Sequence, residues 1–243
     1  MLNFLQENYI SSKTETITET ITKTIIATNN SRIYIDDDLI VKVCDNINEL
    51  NIYKKLSEIQ DSHKFIPSLI SYSTNDNEVI MRMKKYTNSL DNIMMDLDMT
   101  TKINYAIRLC YIVKWLHSHK IFHRDIAPEN CLIDNNNIII CDFGASIECD
   151  AITFVNENNN DKRFISRTSR PDIVKSIIDN KSISYKRDAD IWSLGITLIE
   201  MFKGYRIANI CSMNELYEII NNKQILLDGI NDEHIKNVIN LLL

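Results

Sequence analysis

Glycine is scarce in this chain. Its 243 residues include four, Gly144, Gly195, Gly204 and Gly229, and none lies in the first 143 positions. That excludes a conventional glycine-rich loop, whose missing side chains let backbone crowd a phosphate, from the N-terminal half. No run of about 18 apolar residues exists, which argues against a membrane-spanning helix. Met1 to Ile10 carries Glu7 and no basic cluster, so it does not read as a secretory signal. No myristoylation start or prenylation end is visible either, and a cytoplasmic location is expected. The six cysteines, Cys44, Cys110, Cys131, Cys141, Cys149 and Cys211, form no CxxC pair and read as reduced thiols rather than a disulfide framework. A net charge of -6 speaks against nucleic acid as a main partner. What remains, 44% hydrophobic and 25% charged residues, is ordinary for a globular protein of one large domain or two small lobes.

Residues 14–25 read TETITETITKTI, with Thr at every even position. Thr and Ile favour strands, and a period of two puts all the Thr on one face. A polar turn at Asn29–Asn30–Ser31 separates this run from strand-like segments Arg32–Ile35 and Leu39–Val43, joined by Asp36–Asp37–Asp38. Asn46–Ile59 has helical spacing, and Glu78–Met83 is a short apolar strand. Beyond Leu90 helices dominate. Ala106–His117 and Ala189–Phe202 read as buried helices, the second ending near Gly204. Ile138–Ile140 reads as a buried strand, Asp150–Asn160 as a loop, and Glu215–Ile220 and Asp232–Leu243 as the last helices. Strands first and helices after predict a two-lobed α+β protein with a boundary near Met83–Asn88.

The densest chemistry lies in His123-Arg124-Asp125-Ile126-Ala127-Pro128-Glu129-Asn130, followed twelve residues after Asn130 by Asp142-Phe143-Gly144. Phosphoryl transfer needs a carboxylate to orient the attacking hydroxyl and accept its proton. It also needs hard oxygen ligands for magnesium, which takes phosphates and waters as its other ligands. Asp125, Asn130 and Asp142 are groups of that kind. Together the two segments closely resemble the HRDxxxxN and DFG motifs of the protein kinase family, and the likeness covers roughly residues 20–240. The resemblance implies that Asp125 is the catalytic base and that Asn130 and Asp142 are the metal ligands. Lys42, in Ile40-Val41-Lys42-Val43, resembles the strand lysine that grips the ATP phosphates. Glu49 resembles its helix partner, only seven residues on, with Glu58 a second choice. Asp190-Ile191-Trp192-Ser193-Leu194-Gly195 resembles the family's DxWSxG helix, whose aspartate holds the catalytic loop. Arg170-Pro171-Asp172 resembles the APE segment that closes the activation loop. Met81, Met83 and Leu132 are expected around adenine, and Ala27, Asn29, Ser31 and Ile33 at the place of the phosphate loop. His117, His119 and His123 lack the neighbouring Cys or carboxylate that would complete a metal site. Cys141 reads as a small buried hydrophobe.

The sequence departs from the family at three places. Asn and Ser replace the loop glycines, and Asn is the next most tolerant residue for left-handed backbone. Ala127 stands where Ser/Thr kinases usually carry lysine. Leu243 falls at about the family's helix H, so the large lobe is expected to lack its last helix, and Asp172 either to find another partner, such as Arg206, or to sit exposed. Arg124 beside the base suggests ordering by phosphorylation at Ser166, Thr168 or Ser169. The expectation is a single kinase-like domain, with a small lobe over 1–84 and a large lobe over 85–243. It would use ATP and Mg2+ (or Mn2+) to phosphorylate Ser/Thr of protein substrates. Oligomeric state is not legible. The rival readings are a pseudokinase scaffold, which the glycine-free loop and Ala127 favour, and a small-molecule kinase.

Overall fold

The computed structural model describes residues 24–27, 31–75, 78–149, 153–156, 167–208 and 212–243. The N-terminal part is a five-stranded antiparallel sheet. Its first strands are β1 (Thr24–Ala27), β2 (Ser31–Asp36) and β3 (Leu39–Cys44). Helix α1 (Ile47–Ser57) follows, and then β4 (Leu69–Thr74) and β5 (Val79–Lys84) complete the order β1-β2-β3-β5-β4. The β2–β3 turn places Asp37 at φ 51°, a conformation Asp tolerates.

Alternation along β3 decides the site. Val41 and Val43 pack with Ile80 on one face of the sheet. Lys42 therefore shares the opposite face with Met81, its cross-strand partner, and that face joins the main core. Helix α1 covers this face with Leu50, Tyr53 and Leu56. Its N-cap is Asn46, whose side chain accepts from the Glu49 N–H at 3.2 Å and fixes the first turn carrying that glutamate.

The rest is mainly helical. A short β6 (Asn88–Ser89) leads into α2 (Leu90–Ile93) and the long α3 (Met99–Ser118). Short strands β7 (Ile121–Phe122), β8 (Cys131–Asp134), β9 (Asn137–Ile140) and β10 (Ile147–Glu148) carry the catalytic-motif segments between them. Then come β11 (Thr153–Asn156), α4 (Pro171–Ile178), β12 (Ile183–Lys186), α5 (Arg187–Lys203), α6 (Met213–Ile220), α7 (Lys223–Leu227) and α8 (Glu233–Asn240). Asp98, Ser212 and Asp232 cap α3, α6 and α8 through their side chains. Helix α5 ends at Gly204, whose φ of +79° is the left-handed stop that glycine permits. At Gly195 of α5, a Cβ would lie 3.0 Å from Leu243 and 3.2 Å from Leu242, so the missing side chain makes room for the last two leucines.

One core cluster runs from α1 and β5 through α3 and β9 to α5 and α8, so the sheet and the helices share apolar packing. The α+β reading holds, as do the helices expected over 46–59, 106–117, 189–202 and 215–220, with shifted ends. The strand expected over 14–25 lies outside the described residues up to residue 23. The loop expected over 150–160 is corrected in its middle, where Thr153–Asn156 pairs antiparallel with Ile183–Lys186. That pairing depends on a partner 30 residues away, which local composition does not reveal.

Candidate active site

Three elements meet at Lys42. Its Nζ donates to Glu49 Oε1 at 2.7 Å and to Asp142 Oδ1 at 2.9 Å. Lys42 and Glu49 are buried, whereas the Asp142 side chain is 46% exposed, so the triad opens to solvent on one side. Burial by itself would lower the Lys42 ammonium, but Asp142 and Glu49 more than offset it and hold it above the ordinary lysine value. Burial likewise opposes the Asp142 charge, yet Lys42 and the Gly144 N–H leave that carboxyl below its usual range. Asp142 sits at φ 65°, left-handed backbone that turns its side chain back onto its own Gly144 N–H, 3.2 Å from Oδ1. Phe143 is fully buried against the rings of Tyr53 (4.9 Å) and His123 (5.0 Å), edge-on to both. Two side chains at the start of α1 tie the same segment down: Asn46 Nδ2 donates to Gly144 O at 2.8 Å and Asn48 Nδ2 to Ser146 O at 2.9 Å.

The second group of residues is held from α5. The buried Asp190 carboxylate accepts the backbone N–H groups of His123 (2.9 Å) and Arg124 (2.8 Å), and His117 Nε2 lies 2.8 Å from Oδ2. Arg124 is thereby kept at φ 68°, costly for a residue with a Cβ and found where surroundings over-determine the backbone. Asp125 follows immediately. Asn130 Nδ2 donates both to its backbone O and to its Oδ2, each at 2.9 Å. Burial raises the Asp125 carboxyl above its ordinary value, and Asp142 adds to that. Asn130 uses its amide nitrogen on Asp125 and Asp142 uses Oδ1 on Lys42, so neither bond engages Asn130 Oδ1 or Asp142 Oδ2. Hard oxygens of this kind fit a small divalent ion that takes its remaining ligands from water and phosphate.

The sequence-predicted residues are distributed as follows. Ile33 opposes Lys42 across β2–β3, Ser31 opposes Cys44, and Ala27 opposes Arg32. Met81 and Met83 are buried on β5, and Leu132 lies on β8, two residues beyond Asn130. Asn29 and Ser166 fall outside the described residues. His117, His119 and His123 each have a hydrogen-bond partner on the protein. Burial pushes the Cys141 thiol well above its usual value, in keeping with an inert role.

Two expectations are corrected. Arg206 does not serve Asp172. It forks onto Asp91 of α2, 2.7 and 2.5 Å away, while Asp172 pairs with the nearby Arg170. Thr168 and Ser169, expected as modification sites, are buried, Thr168 fully.

A further cluster escaped the sequence reading. Arg167 is 7% exposed and divides its guanidinium between two carboxylates. It donates to Glu200 of α5 from Nε (2.7 Å) and Nη2 (2.8 Å), and to Glu129 from Nη1 (2.7 Å) and Nη2 (2.8 Å). Glu200 is 0% exposed, and its Oε1 also accepts the Ile207 N–H at 3.0 Å. The one available hint was Glu200 within the apolar run Leu198-Ile199-Glu200-Met201-Phe202, a carboxylate that needs a partner if buried.

Comparison with known proteins agrees with this geometry. The model of the protein kinase domain family matches residues 12–241. A calcium/calmodulin-dependent protein kinase kinase of Emericella nidulans is 33% identical over 52% of this chain and 24% of its own length. A protein of Dictyostelium discoideum named "Probable serine/threonine-protein kinase" is 29% identical over 83% of this chain and 44% of its own. A CBL-interacting serine/threonine-protein kinase of Arabidopsis thaliana is 32% identical over 48% and 23%. The chain thus spans less than half the length of each of these relatives. With the family model covering nearly all of its residues, the chain belongs to the protein kinase domain family.

Proposed function

We propose that the chain transfers the γ-phosphoryl group of ATP to Ser or Thr hydroxyls of protein substrates. The observation that carries this reading is the Lys42–Glu49–Asp142 ion triad facing the Asn130–Asp125 hydrogen bond. Asp125 orients the acceptor hydroxyl and takes its proton as the new O–P bond forms. The bond from the γ-phosphorus to the bridging oxygen breaks, and ADP leaves. Lys42 grips the α/β-phosphates, and Glu49 keeps its ammonium in place. Asn130 and Asp142 would hold magnesium or manganese, which when bound offsets the negative charge on the phosphates. In this reading Met81, Met83 and Leu132 would line the adenine site with Ile33 above it, and Ala27 and Ser31 would belong to the segment over the phosphates; Asn29, expected in the same segment, is outside the described residues.

In this reading residues 1–84 form the small lobe and 85–243 the large one. The Ser/Thr preference is supported by the names of relatives. Among the described residues no helix is long and apolar enough to cross a membrane, and a cytoplasmic site of action would supply ATP and keep the cysteines reduced.

A scaffold that binds nucleotide without turnover is the second reading, favoured by the lack of glycine before Gly144 and by Ala127. Phosphotransfer from radiolabelled ATP to a basic protein mixture, with Asp125→Asn alongside, separates them. Label on Ser or Thr that vanishes in the variant supports the enzyme. No label with either metal, despite nucleotide binding, supports the scaffold.

A further inference from the structure

Arg167 lies between two parts of the chain and joins them. One is the turn bearing Asp125 and Asn130, reached through Glu129. The other is α5, reached through Glu200. Glu129 is one peptide step, about 3.8 Å of backbone, from Asn130, which itself touches Asp125. The segment following Arg167 is fastened to the same helix: Ser193 Oγ of α5 donates to Thr168 O at 2.9 Å. Helix α5 in turn reaches the loop of the base, since Asp190 accepts the His123 and Arg124 N–H groups (2.9 and 2.8 Å), and Thr197 Oγ1, whose nearer acceptor is Ser193 O at 2.8 Å, lies 3.2 Å from Ile126 O. Residues 167–170 and the loop of Asp125 are therefore braced on one helix and cross-linked by one guanidinium.

Segments of this kind are often ordered by an added phosphate that pairs with arginine. Here the charges run the other way. The segment supplies the arginine, the body of the protein supplies the carboxylates, and both are already in place. The hydroxyls of Thr168 and Ser169 are buried, so a phosphate on either would have to displace packing rather than complete it.

We propose that Arg167 is a positioning residue for the acceptor side of phosphoryl transfer, fixing residues 167–170 against the Asp125 loop with a resident charge instead of an added phosphate. The acceptor-side role rests on the reading of the chain as a protein kinase. The brace itself does not. A point charge cannot replace it, because the fork satisfies four carboxylate oxygens at once.

The test has two arms, both on the full chain treated with phosphatase and verified phosphate-free by mass spectrometry. In the first, amide hydrogen exchange is followed. Wild type is expected to protect residues 168–170, Arg167→Ala to lose at least tenfold of that protection, and Arg167→Lys to fall between. Protection near Asp190 is expected to persist in all three. Equal protection of residues 168–170 in wild type and Arg167→Ala would overturn the brace, whether or not the chain is an active kinase. In the second arm, Arg167→Ala is expected to lower kcat/KM for a protein acceptor about 100-fold. Its Kd for ATP with magnesium should stay within threefold, Arg167→Lys should recover part of the loss, and phosphate-free wild type should keep its rate. Loss of wild-type activity on phosphatase treatment, with recovery on rephosphorylation, would overturn the proposal. So would a proportional loss of nucleotide binding in Arg167→Ala, which marks general destabilisation. Should Arg167→Ala not fold, Arg167→Gln, which keeps one donor for Glu200, carries the same measurements. If wild type transfers no phosphate, the protein-kinase reading and with it the acceptor-side role fail, and the exchange arm still decides the brace.

Discussion

Among the described residues the ionic clusters at Lys42 and at Arg167 differ in how the cation engages its carboxylates. At Lys42 one ammonium meets two carboxylates through single contacts, and one of those carboxylates is nearly half exposed. At Arg167 one guanidinium meets two carboxylates through two hydrogen bonds each; the helix carboxylate Glu200 has no exposure, and Glu129 is 40% exposed. Both clusters set one cation against two carboxylates, but the ammonium engages one oxygen of each carboxylate, which leaves lone pairs on the partly exposed Asp142 for the proposed phosphate and metal site. The second is saturated, as a structural brace requires. Buried ion pairs seldom add much net stability, because desolvation consumes the Coulombic gain, but removing one member strands the other. The two clusters should therefore respond differently to substitution.

The largest effect is expected where chemistry is lost outright. Asp125→Asn should lower phosphotransfer by about 10³-fold, within the usual reach of a positioned base, while nucleotide binding measured by calorimetry stays intact. A parallel loss of nucleotide binding would mean that Asp125 supports the site and is not the base. Lys42→Met comes next, with transfer reduced about 10²-fold. The buried Glu49 it strands should cost about 3 kcal/mol in denaturant unfolding. If the open cluster is the functional one, Lys42→Met should also weaken ATP binding, and Arg167→Ala should not.

Acid provides a third probe. Burial opposes the charge on Asp190, but His117 and the Arg124 N–H outweigh it, so the carboxyl lies below its ordinary value of 3.8 in the folded chain. A depressed carboxyl contributes stability that is fully present above 3.8 and is lost as pH falls through the folded value. Wild-type melting temperature should thus drop more steeply below about pH 4 than that of Asp190→Asn, which already lacks the contribution. Parallel curves would show that other carboxylates dominate. The smallest effect is expected at Arg206→Ala. Its pair with Asp91 is largely exposed on the arginine side, so unfolding should change by less than about 1 kcal/mol. A loss comparable to that of Arg167→Ala would merge Arg206 into the closed cluster.

Much of the candidate site was legible because its residues are neighbours in sequence. His123 to Asn130 and Asp142 to Gly144 carry their chemistry in short spans, and the strand around Lys42 announces itself by the β-branched run Ile40-Val41-Lys42-Val43. The helix after Asn46 was legible from its spacing and Glu49 from its resemblance to the helix partner of the strand lysine, and the structure supplies the cap that explains that start. Arg167 was not legible. Its partners lie 38 and 33 positions away on different elements, and no local pattern marks an arginine as a bridge. The supposed Asp172–Arg206 pair failed for the same reason. Charge complementarity names possible partners, and only distance selects among them.

By itself, then, the sequence determined what has a short-range cause. Strand alternation, helix caps at Asn46, Asp98, Ser212 and Asp232, the stop at Gly204 and the oxygen-bearing motifs all depend on a few adjacent residues. The tertiary structure alone decided which charges meet: Lys42 with both Glu49 and Asp142, Asp190 with the Arg124 backbone, and Arg167 with Glu129 and Glu200. A Coulombic contact gains its strength from burial and from separations below about 3 Å, and both are properties of packed elements rather than of the order of residues along the chain.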